Sequence, residues 1–306
     1  MSGMALQVDR RYWLLLGLLS VLWGGSFFFT GVAVRELPPL TIVFARVAFA
    51  AALLAPLMWI QGARFPAGVG AWTPFFVMAV LNNVIPFSLI VSGQTMIASG
   101  LASVLNATTP LFTVLVMAAS GEEALSRRRI GGAVLGLLGV VILRGQKLEA
   151  SQDQTAGILL CLGAALSYGL AAMWGRRRLS GVPPLTAATC QIICSSVVML
   201  VLAAIVEWPH GLPMPGWATW GSLLAIAALS TALAYIVFFQ ILVRSGATNV
   251  MLVTLLIPVT AILLGHFVLG ETLKGREMLG ALVIGSALIL MDGRVVGFFR
   301  RSGSAA

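Results

Sequence analysis

Apolar segments of about 20 residues follow one another along this chain with only short polar breaks, and each is long enough to cross a bilayer as a helix. Of the 306 residues, 59% are apolar and 9% are charged, whereas soluble domains carry about 25% charged residues. Because lipid offers the backbone no hydrogen-bond partners, such segments fold as α-helices. We predict an all-α membrane protein with ten transmembrane helices. They cover approximately residues 12–33, 40–60, 70–91, 95–118, 128–144, 155–175, 185–207, 217–242, 247–269 and 277–293.

The chain also contains an internal repeat. Pro38–Thr41 reads Pro-Pro-Leu-Thr and recurs as Pro183–Thr186, and Pro110 recurs as Pro258. Each half then holds five predicted helices. Because five is odd, the second half begins on the opposite side of the membrane, so we predict two inverted five-helix repeats around a central cavity. The repeats are predicted at residues 1–150 and 151–306, joined by the polar stretch 146–154.

The net charge of +9 would indicate a nucleic-acid partner in a soluble chain. Here the basic residues lie mostly at the ends of apolar segments, where they set membrane topology, so we exclude nucleic acid. Most of them fall on one side of the membrane if the N-terminus is cytoplasmic. Lysine occurs only at Lys147 and Lys274, and this arginine bias indicates a bacterial source. We expect a multi-pass protein of the bacterial inner (plasma) membrane with both termini in the cytoplasm.

The sequence shows no catalytic or metal-binding constellation. The two histidines lie far apart, and Cys161, Cys190 and Cys194 lie in apolar segments without a neighbouring His or carboxylate, which favours packing thiols. The glycine-rich stretches 131–139 and 275–285 lack the strand and lysine of a phosphate loop and are typical of close helix packing. We expect no enzyme activity, no cofactor and no metal.

Polar and aromatic side chains within the apolar segments are the candidates for a substrate cavity. Arg46 is the one cation away from the ends of a predicted helix, where a charge costs at least about 2.5–3.5 kcal/mol, so it should face the bundle or water. It could bind a substrate carboxylate, extend to the membrane interface or hold helix-end carbonyls, and the structural roles are favoured. The amides could equally join helices to one another, and the aromatics could anchor in lipid. The predicted cavity residues are Trp23, Phe27, Arg46, Asn82, Asn83, Gln94, Tyr168, Trp174, Gln191 and Tyr235.

Three prolines also lie within predicted helices: Pro86, Pro110 and Pro258. Proline removes a backbone donor and bends a helix. Because Pro110 and Pro258 match in the repeat, we interpret these residues as kinks that let gates flex or that line the cavity. Static bends that shape the bundle are the alternative.

These features resemble the EamA-type, ten-helix branch of the drug/metabolite transporter superfamily. The resemblance implies a bundle in which helices 1–4 and 6–9 line a central cavity while 5 and 10 are peripheral. It also implies export of metabolites or amino acids, and the chain is similar to aromatic amino-acid exporters of the YddG type. It departs from strict duplication at Gln191, which takes the place of Arg46 in the second half. The resemblance rests on Trp23-Gly24, both Pro-Pro-Leu-Thr motifs, Arg46, Pro110, Pro258, Gly121-Glu122-Glu123, Gly270-Glu271 and the glycine-rich fifth and tenth helices.

We predict a secondary transporter that exports small metabolites by alternating access, with aromatic or apolar amino acids favoured as substrates. No Asp or Glu lies in the middle of a predicted helix, so transport is expected to be facilitative, and Glu122, Glu123 and Glu271 are interpreted as ion pairs at helix ends. The alternative is a drug or other metabolite exporter of the same fold, coupled to protons. The expected partners are a small-molecule substrate and the lipid bilayer, and the expected state is a monomer.

Overall fold

The computed structural model describes residues 10–123, 126–144, 152–245 and 253–292, which contain helices and no strand. Short π-helices at Val80–Val84 and Ala228–Leu233 join α3 to α4 and α10 to α11. The α-helices are α1 (Arg10–Ala33), α2 (Pro39–Ile60), α3 (Thr73–Ala79), α4 (Ile85–Gln94), α5 (Ser99–Asn106), α6 (Thr109–Ala119), α7 (Arg127–Arg144), α8 (Gln152–Arg178), α9 (Pro184–Val206), α10 (Trp217–Ala227), α11 (Ala234–Ser245), α12 (Val253–Leu269) and α13 (Gly275–Asp292).

Within the described residues, seven helical stretches are long and apolar enough to cross a membrane. Of the rest, α12 is apolar but has 17 residues, and α7 and α13 have 18 each with charged ends. At 1.5 Å per residue these three approach the ~30 Å hydrocarbon core without exceeding it. The protein is thus an all-helical, multi-pass membrane protein, while the ten-helix count and the inverted repeats stay predictions. The predicted cytoplasmic termini and most of the stretch 146–154 lie outside the described residues. The seven stretches are Tyr12–Ala33, Pro39–Ile60, Val69–Gln94, Ser99–Ala119, Asp153–Arg178, Pro184–His210 and Trp217–Phe238.

The two Pro-Pro-Leu-Thr motifs start two helices that pack against each other. Pro39 is the first residue of α2 and Pro184 is the first of α9. Proline suits this position because the first amides of a helix have no intrahelical acceptor and its fixed φ is already helical. The contact between α2 and α9 brings corresponding elements of the two halves together near the middle of the bundle.

The prolines interpreted as kinks behave differently from one another. Pro110 follows a break between α5 and α6. The hydroxyls of Thr108 and Thr109 donate there to the carbonyls of Leu105 (2.6 Å) and Asn106 (2.7 Å), so this broken backbone keeps its hydrogen bonds without water. Its repeat partner Pro258 lies inside the continuous helix α12. Pro86 is the second residue of α4 and directly follows a π-helix.

Glycine allows a close helix contact between α7 and α13. A Cβ built on Gly139 would lie 3.0 Å from the carbonyl oxygen of Gly280, and one built on Gly280 would lie 2.7 Å from Leu143 Cβ. These two helices therefore approach backbone to backbone. The predicted role of both glycine-rich stretches in helix packing is confirmed.

Two large apolar clusters form most of the described interior of the bundle, beside a small one of Phe75, Ala79, Cys190 and Cys194. One is built mainly from α1, α5, α8 and α12, and the other mainly from α2, α4, α9 and α10. Tyr168 of α8 packs against both clusters. The polar side chains described next lie at this boundary.

Candidate substrate site

Arg46 lies in the interior of the bundle among aromatic and hydroxyl side chains. Its Nε donates to Thr231 Oγ1 at 3.2 Å, and its guanidinium carbon lies 3.7 Å from the centre of the Phe87 ring. Tyr168 and Tyr235 are close enough to interact electrostatically with it. Among the described residues no carboxylate lies within ion-pair distance of Arg46. The guanidinium therefore keeps donors that have no anionic partner in this part of the chain.

An amide network lies beside Arg46 and joins the third, seventh and eighth predicted helices. Asn82 Nδ2 donates to Gln191 Oε1 at 3.1 Å, and Asn82 also hydrogen bonds to Tyr235. Asn83 Nδ2 donates to Ser195 Oγ at 2.9 Å, and that hydroxyl in turn donates to the backbone carbonyl of Gln191 at 2.7 Å. Asn83 and Ser195 are fully buried, so these bonds satisfy groups that lipid could not.

The two π-helices position the residues of this network. Pro86 has no N–H for the carbonyl five residues before it, and Ser167 Oγ of α8 donates to that Leu81 carbonyl at 2.7 Å instead. In the other π-helix, Thr231 Oγ1 donates to the Ile226 carbonyl at 2.9 Å while it accepts from Arg46. Side-chain hydroxyls thus satisfy irregular backbone on both sides of the site, as membrane interiors require.

Four of these residues are only partly buried although helices surround them: Arg46, Asn82, Tyr168 and Tyr235. Helix α2, which carries Arg46, packs against α4, α9, α10 and the second π-helix. Because Arg46 points towards α4 and that π-helix, its exposed part faces the interior of the bundle. The four side chains therefore keep part of their surface accessible, and among the described members of this group Arg46 carries the one fixed charge.

The structure brings six of the ten predicted cavity residues into this group: Arg46, Asn82, Asn83, Tyr168, Gln191 and Tyr235. Sequence reasoning missed four members, namely Phe87, Ser167, Ser195 and Thr231. Only Ser195 carried a usable signal, because it lies one helical turn beyond Gln191 and shares its face.

The other four predicted residues have different surroundings. Trp23 of α1 packs against Phe238 with ring centres 5.6 Å apart. Phe27 is buried, and its carbonyl accepts from Gln94 Nε2 at 2.8 Å, which fixes the orientation of that amide. Trp174 donates to the Pro74 carbonyl at 3.0 Å.

Two buried amide oxygens, Gln94 Oε1 and Asn106 Oδ1, have no hydrogen-bond partner among the described residues. Gln94 is 7% exposed and belongs to the surroundings of Phe27 in α1. Asn106 ends α5 just before the break in the fourth predicted helix. Unpaired buried acceptors are costly, so each is a place where a donor from a substrate or water would be stabilised.

Glutamate side chains close one face of the bundle by accepting hydrogen bonds from helix N-termini. Glu207, which follows α9, accepts from the backbone N–H of Leu40 at 2.8 Å and of Thr41 at 2.7 Å. It also accepts from Thr41 Oγ1 at 2.8 Å, and Trp208 donates to the same hydroxyl at 3.2 Å. Because the N-terminus of a helix carries a partial positive charge, a carboxylate is a strong cap. This cap joins the second half of the chain to α2 of the first.

Glu36, which follows α1, belongs to the first half and caps a helix of the second half. It accepts from Thr219 Oγ1 at 2.7 Å and from the backbone N–H of Gly216 at 2.8 Å, at the start of α10. The Thr219 hydroxyl, and after it the Gly216 amide, lower the pKa of Glu36 below its usual value. The carboxylate is therefore ionised at neutral pH.

Glu271 forms the third cap. It accepts from Ser99 Oγ at 2.7 Å and from the backbone N–H groups of Ser99 (3.0 Å) and Gly100 (3.3 Å) at the start of α5. The predicted ion pair of Glu271 with the neighbouring basic residues is wrong, because the side chain turns towards this helix N-terminus. Gly31, near the end of α1, lies against both Ser99 and Glu271. The three caps therefore share one face, which we call the capped face (Glu36, Glu207 and Glu271).

Glu122 and Glu123 form ion pairs at a helix end, as predicted, and two of their partners are arginines of the other half, at the opposite face. Glu122 accepts from Arg177 Nε at 2.6 Å, and Glu123 pairs with Arg129 and with Arg176 at 3.0 Å. The hydrogen bond from Arg177 is the main cause that lowers the pKa of Glu122. We call this the arginine face (Glu122, Glu123, Arg129, Arg176 and Arg177).

Several known proteins with similar sequences are named transporters or efflux pumps. The chain is 27% identical to the uncharacterized transporter YoaV of Bacillus subtilis (strain 168) over 276 residues, which cover 88% of this chain and 93% of that one. It is 26% identical to a probable amino-acid metabolite efflux pump of Escherichia coli (strain K12) over 297 residues, covering 92% and 95%. A solved crystal structure shares the fold with a TM-score of 0.65 at 17% identity, covering 94% of this chain and 99% of that one.

The family model of EamA-like transporters matches the chain twice, at residues 11–145 and 155–291. Together these matches span nearly all of the sequence and include both π-helices and both Pro-Pro-Leu-Thr motifs. The apolar helices, the internal repeat and the polar interior point to the same class of protein. The chain belongs to the EamA-like transporter family of the drug/metabolite transporter superfamily.

Proposed function

We propose that this protein exports amino acids and related carboxylated metabolites across the bacterial inner membrane, with aromatic or apolar side chains favoured. The observation that carries the proposal is the guanidinium of Arg46, placed among Phe87, Thr231 and two tyrosines without a described carboxylate partner. A transporter of this family takes a small molecule as its substrate. A substrate carboxylate would complete the hydrogen bonding of Arg46 and neutralise it.

Two alternative roles of Arg46 have less support from the contacts. An arginine that extends towards the lipid headgroups would leave the bundle, but Arg46 lies over the ring of Phe87 in α4. An arginine that holds helix-end carbonyls would show those bonds, but its hydrogen bond goes to the Thr231 hydroxyl. The aromatic rings beside it would receive the side chain of an aromatic or apolar amino acid.

Alternating access is the mechanism we propose, between repeats at residues 1–150 and 151–306. At the capped face, Glu207 and Glu271 of the second half hold α2 and α5 of the first, and Glu36 of the first half holds α10 of the second. At the arginine face, Glu122 and Glu123 hold the end of α8. Opening either face requires that one set of contacts between the halves breaks while the other persists. The paired π-helices support an inverted repeat, because both lie beside Arg46 at corresponding places in the two halves.

Export from the cytoplasm follows from the proposed topology, with the arginine face inside. The basic residues of that face favour the cytoplasmic side. The E. coli relative is named a probable amino-acid metabolite efflux pump, which supports the direction and the class of substrate proposed here. The proposed transport is facilitative, because the interior residues described contain no carboxylate that could carry a coupling proton.

The test is flux in proteoliposomes loaded with labelled aromatic, aliphatic and basic amino acids, with and without a pH gradient. We expect saturable flux that does not depend on the gradient. Arg46→Gln should reduce flux at least about tenfold, equivalent to about 1.4 kcal/mol, and Arg46→Lys should reduce it less. The matched control is Arg64→Gln, which removes an exposed loop arginine. Flux that requires the gradient would overturn the facilitative mechanism, and no flux for the whole panel would favour a drug or other metabolite exporter.

A further inference from the structure

We propose that the preferred substrate held by Arg46 is a monoanion, a carboxylate without a free ammonium group, and that the membrane potential drives its export. This inference rests on the proposed function and narrows its substrate class. The preferred class includes N-acylated amino acids, hydroxy acids and keto acids, which are carried faster than zwitterionic amino acids. This inference rests on the fixed charges around Arg46.

Around Arg46 the described residues supply one positive charge and no negative charge. Among them Arg46 is the only ionised side chain near Phe87, Thr231, Tyr168 and Tyr235. Every aspartate and glutamate of the sequence lies at or beyond the end of a predicted helix. A bound monoanion would therefore bring the site to neutrality, whereas a bound zwitterion would leave one unpaired positive charge in a low-dielectric interior.

The glutamates at the helix ends are already engaged and do not supply an anion to the site. Glu36, Glu207 and Glu271 accept hydrogen bonds from helix N-termini at the capped face. Glu122 is paired with Arg177 at the arginine face. Glu277 accepts from the backbone N–H of Lys274 at 2.9 Å. An ammonium group next to Arg46 would thus be repelled by the guanidinium and would find no carboxylate of the described residues to pair with.

The neutral groups near Arg46 also favour an anion. Its Nε uses the Thr231 hydroxyl as acceptor, and the Gln191 amide oxygen already accepts from Asn82. The Tyr168 and Tyr235 hydroxyls are donors that a carboxylate can accept from. The two buried amide oxygens without partners, Gln94 Oε1 and Asn106 Oδ1, have no contact with Arg46 in the described structure. The surroundings of the guanidinium are therefore matched to a negative group.

A monoanionic substrate explains how export can proceed without a coupling ion. The cytoplasm is electrically negative, so each anion that leaves moves down the potential. At 100 mV this drives an accumulation of about fiftyfold on the outside for one charge. A zwitterion carries no net charge and gains nothing from the potential. The absence of an acidic residue from the middle of every predicted helix is then expected.

The test compares phenylalanine with N-acetyl-phenylalanine, which differ in the charge of the amino group while they share the ring and the carboxylate. Both are loaded, labelled, into proteoliposomes that contain the full-length protein, and efflux is followed with and without an inside-negative potassium diffusion potential set by valinomycin. We expect N-acetyl-phenylalanine to leave at least about tenfold faster than phenylalanine. Only its efflux should accelerate with the potential.

Variants separate this inference from general damage. Arg46→Gln should remove the preference for N-acetyl-phenylalanine, while Arg64→Gln, in an exposed loop, should keep it. Thermal melting of the purified variants in detergent verifies that they are folded. Liposomes without protein supply the passive leak of each compound.

The outcomes distinguish the failure of this inference from that of the proposed function. Equal efflux of the two compounds, or faster efflux of phenylalanine, overturns the monoanion class while carboxylate transport stands; Gln94 and Asn106 would then be the ammonium acceptors to test. If the efflux of N-acetyl-phenylalanine does not depend on the potential, the proposal that the membrane potential drives export is overturned. If neither compound moves above the leak of protein-free liposomes, the proposed function itself fails.

Discussion

Glu207 offers the sharpest test of how the capped face opens. Its carboxylate accepts three hydrogen bonds, from the Leu40 amide and from the amide and hydroxyl of Thr41. The loss of a side-chain N-cap costs about 1 kcal/mol, and the loss of a charge at a helix N-terminus costs about 0.3–1 kcal/mol more. Because the cap joins the two halves, we expect Glu207→Ala to destabilise the closed capped face by about 2 kcal/mol, or about 30-fold. Glu207→Gln keeps an acceptor and should cost about half as much.

The assay measures how fast a thiol beside Arg46 reacts with a reagent that cannot cross the membrane. Thr231→Cys places a sulfur there, in a background without the three native cysteines, which are buried. In right-side-out vesicles, we expect Glu207→Ala to raise the alkylation rate about 30-fold and Glu207→Gln about 5-fold. In inside-out vesicles the rate should fall, because the two faces open alternately.

The control is Asp153→Asn, a change of the same chemistry at the start of α8. Asp153 is exposed and has no hydrogen bond or ion pair among the described contacts, so it joins nothing across the halves. The Thr231→Cys thiol of the Asp153→Asn protein should be alkylated at the same rate as that of the parent protein. If Glu207→Ala leaves the rate unchanged in both vesicle orientations while the protein stays folded, the capped face is not the gate and the role of Glu207 is local to α2.

Two further predictions concern pH and helix packing. Because the pKa of Glu36 is lowered in the folded protein, its cap is fully formed above the usual glutamate range and is lost as the pH falls through the lowered value. Loss of the Glu36 cap should therefore raise alkylation of the Thr231→Cys protein from the outside only below the usual glutamate range. Gly280→Ala places a Cβ 2.7 Å from Leu143 Cβ and should destabilise the protein by about 1–3 kcal/mol, measured as a lower melting temperature in detergent. Gly285→Ala, where nothing lies within 4 Å, is its control and should leave the melting temperature unchanged or slightly raise it.

The sequence could predict the helices and where some of them begin, because both follow from local chemistry. Apolar length predicts a transmembrane helix almost independently of its neighbours. Proline at the first position of α2 and α9 reflects amides that have no intrahelical acceptor. The same reasoning could not locate the breaks, since Pro110 follows an interruption while its repeat partner Pro258 lies in a continuous helix. Which outcome occurs depends on nearby hydroxyls that can satisfy the freed carbonyls.

The sequence predicts a residue of the candidate site most easily when its side chain is one that lipid tolerates poorly. Arg46, Asn82 and Gln191 are rare in apolar helices, so composition alone marks them, and the structure brings them together. Thr231 and Phe87 are ordinary in membrane helices and carry no such mark. Only the folded arrangement shows that one accepts from Arg46 and the other lies under it.

The capping glutamates show why charges at helix ends cannot be assigned from their sequence neighbours. Glu271 lies next to basic residues in the chain, yet its partners are Ser99 and Gly100 in the other half. An exposed ion pair contributes about 0–1 kcal/mol, whereas a carboxylate that satisfies helix-terminal amides removes the larger cost of leaving them unpaired where the bundle is closed. The Glu271 carboxylate therefore caps the helix and does not pair with the nearby cation.

Irregular backbone and the single interior charge occur at the same place for one physical reason. A π-helix has weaker hydrogen-bond geometry than an α-helix and frees backbone groups, so in a bilayer it survives only where other groups satisfy it. Ser167 of α8 does so for the first π-helix, and Thr231 does so within the second. The Thr231 hydroxyl also accepts from the guanidinium of Arg46. Hydropathy cannot reveal where a π-helix lies beside a buried charge, because a π-helix and an α-helix of equal composition have equal hydropathy. Only the hydrogen bonds of the folded chain distinguish the two.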